Sequence, residues 1–336
     1  MAEVPGRRWR PRGLHSDDGQ QALGVLDAIC RDPTRPELSF IDLMIALRDA
    51  APQQGGRWGL HRGVGRNFRQ TIRGFQATGS QDPFAHATMT AGNGAAMRIA
   101  AVGLWWRDEP ETRDRRAASL SAVTHADLRG IAAAQALAAA ISRGLVPRPM
   151  PVLNSELVDD VERAGQRAVG LLGIENDDRF NRVLAGLVEH RRYCYDLNQL
   201  LAGIRQRAQL IGGAEGRVEA TSGFAPCSVP AALAIVDFAD SFEQALVTAV
   251  NLGGDTDTVG AMVGALAGAR FGLSAIPSRW LDDLRATGTL IERIDQVVAR
   301  EAGDPKPDLI ALETEWDALF DARPLVDPSA FDHENF

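Results

Sequence analysis

Asn251-Leu252-Gly253-Gly254-Asp255-Thr256-Asp257-Thr258, leading into the small-residue helix Val259 to Gly272 with its apolar run from Val259 to Ala269, is the most informative stretch of this 336-residue chain. Two carboxylates stand two residues apart, with a hydroxyl directly after the second. Like charges held this close beside an apolar helix repel each other and lose solvation. A divalent cation relieves both penalties, and hard cations such as Mg²⁺ or Mn²⁺ take the oxygen ligands that Asp255, Asp257 and Thr258 offer. Asp and Thr are also good helix caps. Capping accounts for one Asp but not for Gly253-Gly254, which lets the backbone turn tightly. Beyond the acidic pair, Gly260, Gly264, Gly268 and Gly272 recur every fourth residue. Each costs up to about 1 kcal/mol of helix stability relative to Ala, and the row predicts close approach by another helix. The apolar run ends at Arg270, far short of the roughly 20 residues a membrane span needs.

Working outward, the same pattern recurs near the start. Ser16-Asp17-Asp18 precedes the helical spacing of Ala22 to Ile29, so a hydroxyl again abuts paired carboxylates at a helix N-terminus. Read alone it is an N-cap; beside Asp255 and Asp257 it is a candidate second half of one metal centre. Gly92-Asn93-Gly94, followed by Met97-Arg98, makes a tight turn whose amides can face an anion ahead of a helix, with Arg98 able to pair with phosphate.

The remaining chain reads as helices and loops, with no useful segment of strand period. Ser39 to Ala50 is amphipathic, 52–66 a Gly- and Arg-rich loop, Arg66 to Gly74 helical, and Glu109 to Arg116 a charged loop. Thr124 to Asp127 caps an Ala-rich helix to about Ser142, and Leu145 to Pro151 is the best linker. Amphipathic helices follow at 155–171, 178–191 and 195–210. A loop over 220–230 precedes a helix from Ala231 to Phe238, and Ser241 with Gln244 forms a capping box. A helix starts near Ile276 to Leu281, and one more is expected near 309–320. The expectation is an all-α chain with one compact domain over 14–322, a disordered N-terminus over 1–13 and a C-terminal tail over 323–336.

Composition narrows the partners. A formal net charge of −8 argues against nucleic acid. Three cysteines without C-x-x-C spacing suggest neither a disulfide framework nor a zinc site, and point to reducing cytoplasm. The Arg-rich start has no apolar core of a signal peptide, and no stretch is long and apolar enough for a membrane partner.

Taken together, Asn251 to Gly268, Ser16-Asp17-Asp18, Gly92-Asn93-Gly94 with Met97-Arg98, and Thr124-His125-Ala126-Asp127 resemble the motifs of the ADP-ribosylglycohydrolase family. The resemblance is good over 14–142 and 218–285 and poor over 150–215. It implies an all-α fold with a metal-lined cleft holding two divalent ions, Mg²⁺ or Mn²⁺. The implied ligands are Ser16, Asp17, Asp18, Asp255, Asp257 and Thr258. Asp17, Asp18 and Asp257 would take part in catalysis, and Gly92, Asn93, Gly94, Arg98 and His125 would bind the substrate. The implied activity is removal of ADP-ribose from a protein side chain or small molecule by cleavage at C1″. Three departures bear on it. Ser16 and Gly19 stand where the family has Thr, and the family's upstream Gly-Asp-Ala-x-Gly helix with its acidic residue is not seen ahead of Leu14. These keep open a non-catalytic ADP-ribose-binding or structural role, or slow turnover for a chain of this length.

Overall fold

Helices begin where capping residues and prolines fall and turn their apolar stripes onto a shared interior. The computed structural model describes residues 13–51, 58–145, 151–214, 216 and 218–321, which form fifteen α-helices and no strand. The first six are α1 (Asp17–Arg31), α2 (Pro36–Asp49), α3 (Arg66–Thr78), α4 (Ala100–Trp105), α5 (Pro110–Ala122) and α6 (Leu128–Gly144). Next come α7 (Ser155–Leu172), α8 (Arg179–Arg191), α9 (Leu197–Leu210), α10 (Ala225–Phe238), α11 (Phe242–Asn251) and α12 (Thr256–Phe271). The chain closes with α13 (Ser278–Asp283), α14 (Thr287–Ala299) and α15 (Leu309–Asp321). The expected linker over 145–151 is described only at Leu145 and Pro151, and the expected N-terminus over 1–13 and tail over 323–336 lie, but for Gly13, outside the described residues.

The centre of the bundle is α6. Asp127 caps it by accepting from the Arg129 N–H at 2.9 Å, a contact worth about 1 kcal/mol. Its Ala-rich surface lets α4, α5, α7, α8, α10 and α12 approach from several sides, and from Leu128 to Ser142 only Arg129 escapes burial. One apolar cluster runs from Val25 on α1 to Leu309 on α15, so the helices share a core. Cys30 on α1, Cys194 between α8 and α9, and Cys227 on α10 are all buried free thiols. Burial pushes the Cys30 thiol up to about 12 and the Cys227 thiol up to about 11.

Several sequence expectations are corrected. The supposed charged loop over Glu109–Arg116 belongs to α5, with Pro110 in its first turn. Its inward face carries Arg113 paired with Asp114, which also binds Arg167, so buried charge disguised a core helix. The loop over 220–230 ends early, because α10 starts at Ala225 with Pro226 in its first turn and tolerates Pro230 inside. The helix near Ile276–Leu281 is the short α13; Ala286, in the left-handed region at φ 53°, separates it from α14, which the sequence reading missed. Ser241 accepts from the Gln244 N–H at 3.1 Å as expected, but the Gln244 side chain accepts from Asp240 rather than Ser241.

The glycine row of α12 is also corrected. The helix packs through Val259, Met262, Val263, Leu266 and Ala267. Among the described residues nothing comes within 4 Å of where a Cβ would stand at Gly260, Gly268 or Gly272, and at Gly264 only a Leu246 methyl does. Among the described residues no helix is pressed against the row.

Candidate active site

Two helix N-termini far apart in sequence meet across one cleft. Ser16 is the N-cap of α1, with Asp17 and Asp18 in its first turn. The Ser16 hydroxyl donates to Asp18 Oδ2 at 2.6 Å. Asp18 is 3 % exposed and its Oδ1 is buried without a hydrogen-bond partner. Burial raises its pKa and the Asp257 charge adds to the rise, while hydrogen bonds from Ser16 and Thr258 act the other way. Asp18, Asp257 and Thr258 are therefore close neighbours.

On the opposite side, Asp255 is the N-cap of α12. Gly253 and Gly254 bring the chain there at φ 72° and 78°. A Cβ at position 254 would lie 2.5 Å from Thr221 Oγ1, so only glycine fits. That approach lets the Asp255 N–H donate to the Thr221 carbonyl at 2.8 Å. Asn93 Nδ2 donates to Asp255 Oδ2 at 2.8 Å, and the Thr258 N–H donates to Asp257 Oδ1 at 3.2 Å.

The 92–94 turn is anchored differently from the expectation. The Asn93 N–H donates to the Gly223 carbonyl at 3.1 Å, so this amide is committed to the protein rather than free for an anion. Gly92 and Gly94 instead make room for the His125 ring, whose atoms would lie 3.3 and 3.1 Å from a Cβ at those positions. His125 is nearly buried, and burial, aided by the Arg98 charge, lowers its pKa to about 3, so the ring is neutral at physiological pH. Arg98 Nη2 donates to Thr124 Oγ1 at 2.7 Å, and that hydroxyl lies 2.7 Å from His125 Nδ1. The Thr124 hydroxyl, with one proton and two lone pairs, thus joins Arg98 to the His125 ring.

Arg98 itself is 1 % exposed, lies over the Phe40 ring and donates to Gln21 Oε1, the Leu120 carbonyl and Thr124. Burial lowers its pKa to about 9. It forms the floor of the cleft, with its hydrogen bonds spent largely on protein.

The resulting cleft, about 470 Å³, is lined by Asp17, Asp18, Gly92, Asn93, Gly94, Arg98, His125, Asp255, Asp257 and Thr258. Ser16 stands behind Asp18 rather than in the lining. Met97, named in the sequence only as part of the Gly-Asn-Gly motif, joins the wall, and Gln21, Gly63, Gly65, Arg66, Asn67, Phe68 and Thr90, which sequence reasoning missed, complete it. The usable signal was Gly63-Val64-Gly65 directly ahead of α3. A ready metal-lined cage is not seen: among the described residues no group of three or more His, Cys, Asp or Glu is gathered to hold a metal ion. The donor chemistry nevertheless fits a hard divalent cation. Every candidate ligand offers oxygen, and the buried Asp18 Oδ1 has no other partner.

Gly19, one of the departures from the family motif, has a local cause. A Cβ there would lie 2.7 Å from His15 Cβ and Cγ, so the bare position lets the His15 ring fold across α1.

The chain is 29 % identical over 203 residues to the chicken (Gallus gallus) ADP-ribosylhydrolase ARH3, covering 56 % of this chain and 52 % of that protein. It is 42 % identical over 62 residues to the ADP-ribosyl-[dinitrogen reductase] glycohydrolase of Rhodospirillum rubrum, covering 18 % and 21 %. A solved structure described as an ADP-ribosylglycohydrolase-related protein complex superposes with a TM-score of 0.60 at 25 % identity, covering 86 % of this chain and 82 % of that one. The chain spans about half the length of the curated relatives it matches first, 53 % and 55 %. The family model described as ADP-ribosylglycohydrolase matches residues 1–307, including the 150–215 region whose motifs are weak, and the chain belongs to that family.

Proposed function

We propose that this chain is a divalent-metal-dependent hydrolase that removes ADP-ribose from an ADP-ribosylated side chain or small molecule by cleavage at C1″. The observation that carries the reading is the meeting of the acidic starts of α1 and α12 in one cleft with Asn93 and His125. Ser16, Asp17, Asp18, Asp255, Asp257 and Thr258 would hold two Mg²⁺ or Mn²⁺ ions, which when bound orient the ribose diol and lower the pKa of a water.

The protein's own groups supply the rest. Asp17, Asp18 and Asp257 bring negative charge to a cleft in which positive charge develops at C1″ as the glycosidic bond breaks. The neutral His125 ring offers a polar ring nitrogen to a phosphate or ribose group. Asn93 fixes the Asp255 carboxylate through its 2.8 Å hydrogen bond. Arg98 holds Thr124, and through it the orientation of the His125 ring, so its part is positioning. The free, buried thiols suit a cytoplasmic setting.

The test is release of ADP-ribose from ADP-ribosyl-arginine and ADP-ribosyl-serine substrates with Mg²⁺ or Mn²⁺. Turnover is expected on at least one linkage, and Asp255→Asn and Asp257→Asn should each lower it by about 100-fold or more, the scale of one lost catalytic group. Tight ADP-ribose binding without turnover on either linkage, or on an O-acyl-ADP-ribose, would overturn the hydrolase reading.

A further inference from the structure

Behind the acidic start of α1 lies a buried polar cluster that the cleft chemistry does not use. Its hub is Glu313 on α15, which is fully buried. Glu313 Oε1 lies 2.9 Å from His15 Nε2, and Glu313 Oε2 accepts from Gln20 Nε2 at 2.9 Å. The Arg62 guanidinium closes on Oε2 from the other side. Gln20 then ties the cluster to the chain ahead of α3: its Nε2 donates to the Leu60 carbonyl at 2.9 Å, and its Oε1 accepts from the Arg62 N–H at 2.9 Å. Trp316, also on α15, meets the His15 ring edge-on at 5.0 Å.

One carboxylate thus bridges two walls of the cleft. His15 immediately precedes Ser16-Asp17-Asp18, and Leu60 to Arg62 immediately precede Gly63, Gly65 and Arg66 of the opposite rim. The route depends on Gly19, because any side chain there would collide with the His15 ring. The hub also lies outside the family match, which ends at residue 307. A buried carboxylate with these partners is costly to break, since each would be left unsatisfied.

We propose that Glu313 is a positioning residue: by holding His15, Gln20 and Arg62 together, it sets the acidic start of α1 against the 63–68 wall and so sets the affinity of the cleft for its cation. This rests on the proposed metal-dependent function.

The experiment compares the full chain with Glu313→Ala, Glu313→Gln and Gly19→Ala. Mn²⁺ and ADP-ribose binding are measured by calorimetry, and backbone hydrogen exchange is followed peptide by peptide. Glu313→Ala should weaken Mn²⁺ binding by about tenfold or more, the scale for losing a group that orients metal ligands. It should speed exchange over 13–21 and 58–68 while leaving 155–172 unchanged. Glu313→Gln keeps polar atoms in the same place and should recover most of the loss. Gly19→Ala, which displaces the His15 ring with Glu313 intact, should reproduce the Glu313→Ala pattern. If Glu313→Ala does not fold, the other two variants carry the test. Wild-type Mn²⁺ affinity in the folded variants, whatever their melting temperatures, would overturn the positioning role alone. A wild-type chain that binds neither Mn²⁺ nor ADP-ribose would overturn the proposed function and this role with it.

Discussion

His61 shows how a single imidazole can make stability depend on pH. It is 8 % exposed, packed between Trp58 and Phe68, with Nε2 2.9 Å from the Met44 carbonyl. Burial lowers its pKa to about 4; the Glu313 charge opposes this, while Arg69 and Arg62 assist it. The folded pKa lies below the value of about 6.5 for a free imidazole, so the unfolded chain takes up the proton first. The stabilisation is complete above about pH 6.5 and drains as pH falls toward 4, reaching up to about 3 kcal/mol. Melting temperature should therefore fall across that window in the wild type. It should fall less in His61→Gln, which keeps a donor for Met44 but does not titrate. Parallel curves would refute the assignment. His125, with its pKa lower still, drains both curves alike.

Among the elements, α12 yields a substitution that improves the fold. Gly268 sits in the helix interior with open space where a Cβ would go. Gly268→Ala should raise stability by up to about 1 kcal/mol, read as a higher denaturation midpoint at unchanged slope. A loss of stability would show that something covers that face in solution. The same helix illustrates what was legible in the sequence. Its acidic start was readable because paired carboxylates at a helix N-terminus are chemically conspicuous. The vacancy beside its glycines was not, because spacing records the absence of side chains but not what lies opposite. The amphipathic stripes of α7, α8 and α9 were legible because their outer faces are plainly polar. In α5 the inward face is itself charged, and in α10 Pro226 and Pro230 imitate a loop. The 63–68 wall was hidden for a similar reason: glycines that form a rim read as a connection. Glu313 was out of reach, since its partner Gln20 is 293 residues away and neither residue stands in a motif.

At the level of the whole molecule, the cleft exists only when distant segments have closed on one another; Asn93 and Asp255, for example, are 162 residues apart. Ligand binding and closure of the bundle are therefore linked, and ligand that binds only the closed form should suppress opening by mass action. The three buried thiols turn that linkage into something that can be timed. Cys30 and Cys227 sit on α1 and α10 with their pKa values pushed up, so a thiol reagent finds little thiolate and no access until the helices part. Cys194 lies in the short turn between α8 and α9, away from the cleft lining. With alkylation followed by mass spectrometry at mildly alkaline pH, Cys194 should react first and at a rate indifferent to ligand. Cys30 and Cys227 should react together, and ADP-ribose with Mn²⁺ at about 100 times the dissociation constant should slow both by roughly 100-fold. Equal rates at all three cysteines, with and without ligand, would separate opening of the bundle from occupancy of the cleft. The molecule thus carries its own pair of clocks, one keeping the time of a local flutter and the other that of its global unfolding.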